Sequence, residues 1–284
     1  GGTLGIIIPP SIVFVIYGST NGVSISKLLM SGMLPGILTA VVLCLYGYVV
    51  AKKENFPKSF DQFSLKRVLK SLKGAVWALM MPLIILGGIY GGIFTPTESA
   101  MIACAYGLVV SFFVTKELTV KNFFDVVSKT AASTANVTVM FLAAQVFGFL
   151  IAYYDITTTI ANFFVAVSPN WIIFMGLVFI LLTITGMFME VGATNVILSP
   201  LLAPVAAAFG IDPIHFGMVF VFLLALGQAT PPFGSTMFIA CGISGERVAA
   251  VIRRLLPFVL VEYACALVFA YVPWFSTFLP SLMA

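Results

Sequence analysis

Charge is what this chain has least of. Of its 284 residues 8% are Asp, Glu, Lys or Arg and 61% are hydrophobic, where a soluble domain carries roughly 25% charged residues. That excludes an ordinary water-soluble globule. Between residues 74 and 115 the one charged side chain is Glu98, and between 130 and 189 it is Asp155. Such runs match the roughly 20 apolar residues that a membrane-spanning helix requires. Histidine is almost missing: His215 stands alone and no HExxH occurs, so zinc hydrolase chemistry lacks its ligands. Neither Asp155 nor Asp212 lies inside a predicted span, which leaves a paired intramembrane aspartate site unsupported. The cysteines (Cys44, Cys104, Cys241, Cys265) are isolated, without CxxC spacing, and read as small packing side chains. Strand-type alternation is scarce, which argues against a β-barrel. The expected fold class is an all-α polytopic membrane protein whose surroundings are a lipid bilayer. An enzyme is not expected.

The net charge of +4 is no nucleic-acid signature, because half of the 14 Lys and Arg lie in "KKENFPKSFDQFSLKRVLKSLK", residues 52–73. Basic loops face the cytoplasm, which orients the chain. Within this segment Leu65, Val68, Leu69 and Leu72 fall on one helical face and Lys66, Arg67, Lys70 and Lys73 on the other, as in a helix lying in the interface. Residues 31–51 then run toward the cytoplasm and 74–94 away from it. Residues 98–115 return to a second basic stretch at Lys116, Lys121 and Lys129, and 130–152 cross again. Tyr153, Tyr154 and Trp171 bracket a connector free of basic residues, suited to the outer interface. "TPTE" at 95–98 reads as an N-cap, a first-turn proline and a capping-box acid. The sequence begins Gly1-Gly2, with neither an initiating Met nor a charged leader, and reads as starting partway through something larger.

Two segments stand out. "GIIIPPS" (5–11) and "GQATPPFGST" (227–236) each place paired prolines within an apolar run. A shift of 222 positions superposes Gly5 on Gly227, Pro9 and Pro10 on Pro231 and Pro232, and Pro35 on Pro257. The helix after the first copy ends at a basic group near Lys52, whereas the helix after the second begins at one near Arg253. With both groups cytoplasmic, the copies run in opposite directions. Inverted repeats with broken helices mark secondary transporters. Proline lacks an N–H and bars its predecessor from the α region, so each pair ends one half-helix and lets the next begin. Carbonyls freed there need protein or a wet cavity around them. The carbonyls of Gly227, Gln228, Ala229 and Thr230 suit Na⁺, and Thr230 adds a hydroxyl. Gly234, Ser235 and Thr236 supply donors at a helix start that favours a carboxylate.

Residues 171–210 must begin and end on one side of the membrane, as a re-entrant hairpin with its tip at Glu190, Gly192, Ala193, Thr194 and Asn195. Glu190 is the sole acid between Asp155 and Asp212, and an intramembrane carboxylate is a candidate functional group. Glu262 lies within the last long helix, where its role stays open.

"GGTLGIIIPPS", "GGIFTPTES", "GIDPIHFG" and "GQATPPFG" together resemble the large membrane subunit of tripartite ATP-independent periplasmic (TRAP) transporters, over essentially the whole chain. The resemblance implies an elevator-type, sodium-coupled importer of an organic acid such as sialic acid or a C4-dicarboxylate. It also implies a bacterial inner-membrane location, a small membrane subunit, which is sometimes fused, and a periplasmic binding protein as partners. The family pattern has a first re-entrant hairpin before "GGTLG" that these residues do not include, so the isolated chain is not expected to transport.

Carried over, the transport core comprises 1–26 and 211–246 (broken helices) and 171–210 (hairpin). Scaffold parts are 27–51, 74–170 and 247–284, with 52–73 as the basic amphipathic segment. Sodium falls to Gly5, Pro9, Ser11, Gly192, Thr194, Asn195, Gly227, Gln228, Ala229 and Thr230. The substrate falls to Glu190, Ala193, Pro232, Gly234, Ser235 and Thr236. No transition metal is expected. The alternative is a binding-protein-independent, sodium- or proton-coupled anion transporter of similar design, and a passive channel is a further rival.

Overall fold

A computed structural model describes residues 1–55, 64–232, 234–245 and 247–282, apart from some side chains between 136 and 165 and those of Ser235, Ile243 and Ser244. The centre of the basic segment and the Ser235 hydroxyl therefore lie outside the described residues. Every regular element among the described residues is helical. In chain order these are α1 (Gly2–Ile7), α2 (Ile12–Asn21), α3 (Ile25–Lys53), α4 (Leu65–Tyr90), α5 (Pro96–Val109, continued by a π-helical turn, Val110–Val114) and α6 (Val120–Tyr153). There follow α7 (Ile156–Val167), α8 (Trp171–Phe188), α9 (Val191–Ala208), α10 (Pro213–Gly227), α11 (Ser235–Ser244), α12 (Val248–Tyr271) and α13 (Trp274–Ser281). Among the described residues five helices are long and apolar enough to cross a membrane, or up to six if the bent pair α12–α13 counts as one span. The all-α polytopic class is what composition implied.

Two compact units divide the chain: Gly1–Tyr46 with Thr138–Ala284, and Gly47–Val137. In the second unit α4 packs on α5. Thr95 caps α5 with Pro96 in the first turn. The Glu98 carboxylate accepts from the Thr95 N–H at 2.7 Å, and the Thr95 hydroxyl accepts from the Glu98 N–H at 3.3 Å. The capping box legible in "TPTE" is thus formed. The basic residues 65–73 are not a separate helix: they make the first turns of α4, whose 26 residues run about 39 Å. Among described residues α4 buries just Gly88 and Ile89, so most of its apolar surface suits lipid.

The first unit is built around α10. Every residue from His215 to Gly227 is buried, and a helix apolar on all sides belongs at a centre. Asp212 caps it, its carboxylate accepting from the N–H groups of Ile214 (2.8 Å) and His215 (2.9 Å). His215 secures the same end: Nε2 donates to the Ala270 carbonyl at 3.1 Å, and Nδ1 lies 2.7 Å from the Ser276 hydroxyl. Helices α8, α9, α12, α1 and α2 surround α10. The expected connector between Tyr153 and Trp171 contains a helix, α7, which packs on α9. Its β-branched "ITTTI" start hides a helix from propensity, and packing on α9 supplies what propensity lacks.

Helices α1–α2 and α10–α11 are the two broken segments. Tyr17 packs against Phe220 with ring centroids 5.4 Å apart, and a side chain at Gly217 would also meet Tyr17. At the other end, a side chain at Gly2 would collide with Thr236. Ascending one broken helix therefore descends the other, so the two lie antiparallel. The halves after the breaks are 10 residues each, ending at Gly22 and Gly245 with φ 66° and 69°. Both residues occupy the left-handed region that glycine tolerates. Pro9–Pro10 and Pro231–Pro232 are both cis peptides.

Candidate functional site

A helical carbonyl accepts from the N–H four residues on. Pro9 and Pro10 offer none to Gly5 and Ile6, and Pro231 and Pro232 offer none to Gly227 and Gln228. At the second break, Gly227 turns its carbonyl to the Thr230 N–H (3.0 Å) and Gln228 to the Thr236 N–H (3.1 Å). Among the described residues no donor reaches the carbonyls of Ala229, Thr230, Gly5 or Ile6. Gly234 leaves room for two oxygens of this break to converge, because a methyl group there would lie 2.5 Å from the Gln228 oxygen and 2.9 Å from that of Thr230. Gln228, Ala229, Thr230 and Gly234 are buried, whereas Pro232 is exposed and Thr236 half-buried. The Thr230 hydroxyl donates to the Leu226 carbonyl at 2.7 Å and shares a hydrogen bond with the Tyr263 hydroxyl at 3.0 Å. It is held rather than free to turn.

Helices α8 and α9 form a hairpin whose ends meet where Phe174 stacks on Phe209, centroids 4.8 Å apart. Along α8, Phe174 lies beside Phe216 and Gly186 beside Gly227, so α8 runs parallel to α10. A Cβ on Gly227 would fall 2.5 Å from the Gly186 backbone. The hairpin tip lies level with the break, and α11 follows beyond it. At the tip, Gln228 Nε2 donates to the Met189 carbonyl at 3.3 Å.

The five tip residues divide by role. Glu190 is exposed and caps α9, its carboxylate accepting from the Ala193 N–H at 2.9 Å. The start of α9 is therefore already occupied by a negative charge, whereas α11 has no side-chain cap. Gly192, Thr194 and Asn195 are buried and Ala193 is half-buried. Thr194 donates back to the Glu190 carbonyl at 2.9 Å. Asn195 Nδ2 donates to the Val13 carbonyl at 2.9 Å, which ties the hairpin to the first broken helix, and its Oδ1 has no partner among the described residues.

At that first break Pro9 is buried and Ser11 caps α2, its hydroxyl 3.5 Å from the Phe14 N–H. Gly5 is exposed, and no described hydrogen bond joins its carbonyl to the hairpin. The structure thus gathers the 227–234 break and the 189–195 tip, with the first break attached through Asn195.

Several participants escaped sequence reading. Tyr263 gave no signal, since neither motif nor repeat contains it. Asn21, whose Nδ2 donates to the Ser199 hydroxyl at 2.8 Å, is likewise silent. Gly186 was legible in principle, as small residues in apolar helices mark close approach. Away from the tip, a cavity of about 630 Å³ opens between the end of α2, the end of α9 and the start of α10, lined by Tyr17, Asn21, Pro204 and Pro213 among others.

Comparison with known proteins gives this geometry a family. The family model described as "Tripartite ATP-independent periplasmic transporter, DctM component" matches residues 1–275. The isethionate TRAP transporter permease protein DctMQ of Oleidesulfovibrio alaskensis is 40% identical over 272 residues, covering 96% of this chain and 43% of that protein. The sialic acid TRAP transporter permease protein SiaT of Haemophilus influenzae is 34% identical, covering 99% of this chain and 45% of its own length. The C4-dicarboxylate TRAP transporter large permease protein DctM of Vibrio cholerae is 35% identical, covering 99% and 66% respectively. The chain thus spans between about two fifths and two thirds of these relatives. With a family model matched over nearly its whole length, this chain belongs to the DctM-component family of tripartite ATP-independent periplasmic transporters.

Proposed function

We propose that this chain is part of a bacterial inner-membrane permease that imports a small organic anion, driven by the sodium gradient. One observation supports this above the rest: two antiparallel broken helices, one of them with carbonyls of Gln228 and Thr230 converging beside Gly234, meet the tip of one helical hairpin. The Ala229 and Thr230 carbonyls, which no described donor reaches, suit a cation beside that of Gln228, and a helix start without a side-chain cap suits an anion.

Sodium sits at carbonyls of Gln228, Ala229 and Thr230 with the Gly192, Thr194 and Asn195 end of the hairpin. Its equivalent at the first break uses Gly5, Pro9 and Ser11. Cation binding draws the tip against the break through Gln228 and Met189, which orders the seat for the anion. The anion's carboxylate lies toward the open start of α11, at Gly234, Ser235 and Thr236, near Pro232 and Ala193. Glu190, engaged with its own helix, borders that seat and sets its charge. Coupling is the difference in anion affinity between the empty and sodium-bound states. The body that moves carries the hairpin and both broken helices, in an elevator cycle.

The names of the relatives speak of isethionate, sialic acid and C4-dicarboxylate, all acids. A periplasmic binding protein delivers the substrate and a small membrane subunit completes the complex. The test is reconstitution of the complete permease in proteoliposomes with its binding protein and labelled organic acids. Uptake is expected only with an inward sodium gradient and the binding protein. Equal uptake without sodium contradicts the coupling, and equal uptake without the binding protein favours the stand-alone carrier.

A further inference from the structure

Between Arg254 and the end of α12, Glu262 is the one charged side chain. It is 4% exposed and the Thr3 hydroxyl of α1 donates to its Oε2 at 3.3 Å, longer than the roughly 2.5–2.7 Å of a hydroxyl bonded to an ionised carboxylate. A buried carboxylate without a cationic partner is costly in a membrane interior and takes on a cation instead.

The groups around it are few. On its own helix stand Tyr263 and Cys265, with Arg253 and Arg254 about 12 Å or more further along the axis. Helix α8 brings no titratable side chain. Helix α10 brings only His215, bonded far along α12 at Ala270, and α11 brings Cys241. Helix α3, which meets α12 where Tyr46 packs on Phe258, brings Cys44 and Tyr46, with its Lys27 about 28 Å further along the axis from Tyr46. Helix α1 contributes Thr3. No Lys or Arg side chain of α1, α8, α10 or α11 is available, because none of these helices contains one. One hydroxyl is too sparse a shell for an alkali ion, whereas a proton needs no shell.

We propose that Glu262 is a proton-exchange site: neutral while Thr3 holds it in the contact between α1 and α12, and ionised when that contact opens. On opening, the carboxyl O–H bond breaks and its proton passes to water. The position gives the proton leverage, since Thr3 adjoins Gly2, which abuts Thr236 at the start of α11. One proton thus bears on the place where the two repeats meet. Its effect on uptake rests on the transport reading above; the proton itself does not.

Infrared spectroscopy of the purified complete permease tests the site directly, comparing wild type with Glu262→Gln and Glu262→Asp. A protonated-carboxyl band is expected in the wild type, lost in Glu262→Gln and displaced in Glu262→Asp. Superimposable spectra in that region overturn the proposal, and should Glu262→Gln fail to fold, an undisplaced band in Glu262→Asp overturns it alone. In proteoliposomes Glu262→Gln, which mimics the neutral form, is expected to keep uptake and lose the wild type's dependence on pH. A variant that keeps that dependence refutes the link to α1. A band that behaves as expected in a protein with no sodium-driven uptake leaves the proton site standing and removes the transport reading.

Discussion

Thr230 shows how much one hydroxyl can hold together. It fastens the break to the Leu226 carbonyl below and to Tyr263 beside it, at 2.7 and 3.0 Å. Thr230→Val keeps the shape and strands both partners, at a cost of about 1–3 kcal/mol. The expected result is a lower melting temperature together with an about tenfold higher sodium concentration for half-maximal uptake, equivalent to about 1.4 kcal/mol. An unchanged sodium dependence shows that the Thr230 hydroxyl does not shape the site. Gly234 separates function from packing more sharply. A methyl group there intrudes on the oxygens of Gln228 and Thr230 at 2.5 and 2.9 Å, so Gly234→Ala is expected to abolish stabilisation by sodium in a thermal-shift measurement while the folded permease persists. Undiminished stabilisation by sodium places the cation elsewhere.

At the scale of elements, the paired prolines matter because they withhold two N–H groups in succession. Replacing Pro231 and Pro232 by alanine returns donors to the Gly227 and Gln228 carbonyls and favours a continuous helix. Uptake is expected to fall below a tenth of wild type without loss of membrane expression. Near-normal uptake would show that the break is only a packing kink. These breaks were legible in sequence because proline chemistry is local. The capping box at Thr95 was legible for the same reason. Helix α7 was not, because its stability comes from α9 and not from its own residues. Glu190 offered an intramembrane acid whose partner the sequence did not name; folding shows that carboxylate capping its own helix. The resemblance assigned 27–51 and 247–284 to a scaffold; α12 and α3 as far as Tyr46 share one compact unit with the broken helices. Such contacts depend on which faces meet, and uniformly apolar helices do not advertise their faces.

For the molecule as a whole, the central claim is that one design occurs twice in opposite directions. The antiparallel course of α1–α2 and α10–α11 carries it, with Tyr17 beside Phe220 at one end and Gly2 beside Thr236 at the other. The halves that follow the breaks then end at opposite ends of this helix pair, one at Gly22 and the other at Gly245. Single cysteines at Ser24 and Arg247, in the complete permease with Cys44, Cys104, Cys241 and Cys265 replaced, make this measurable with a membrane-impermeant thiol reagent. Reaction at position 24 only from the periplasmic side and at 247 only from the cytoplasmic side is the predicted result. Reaction of both positions from the same side would contradict the inverted repeat and, with it, the transport mechanism built on it.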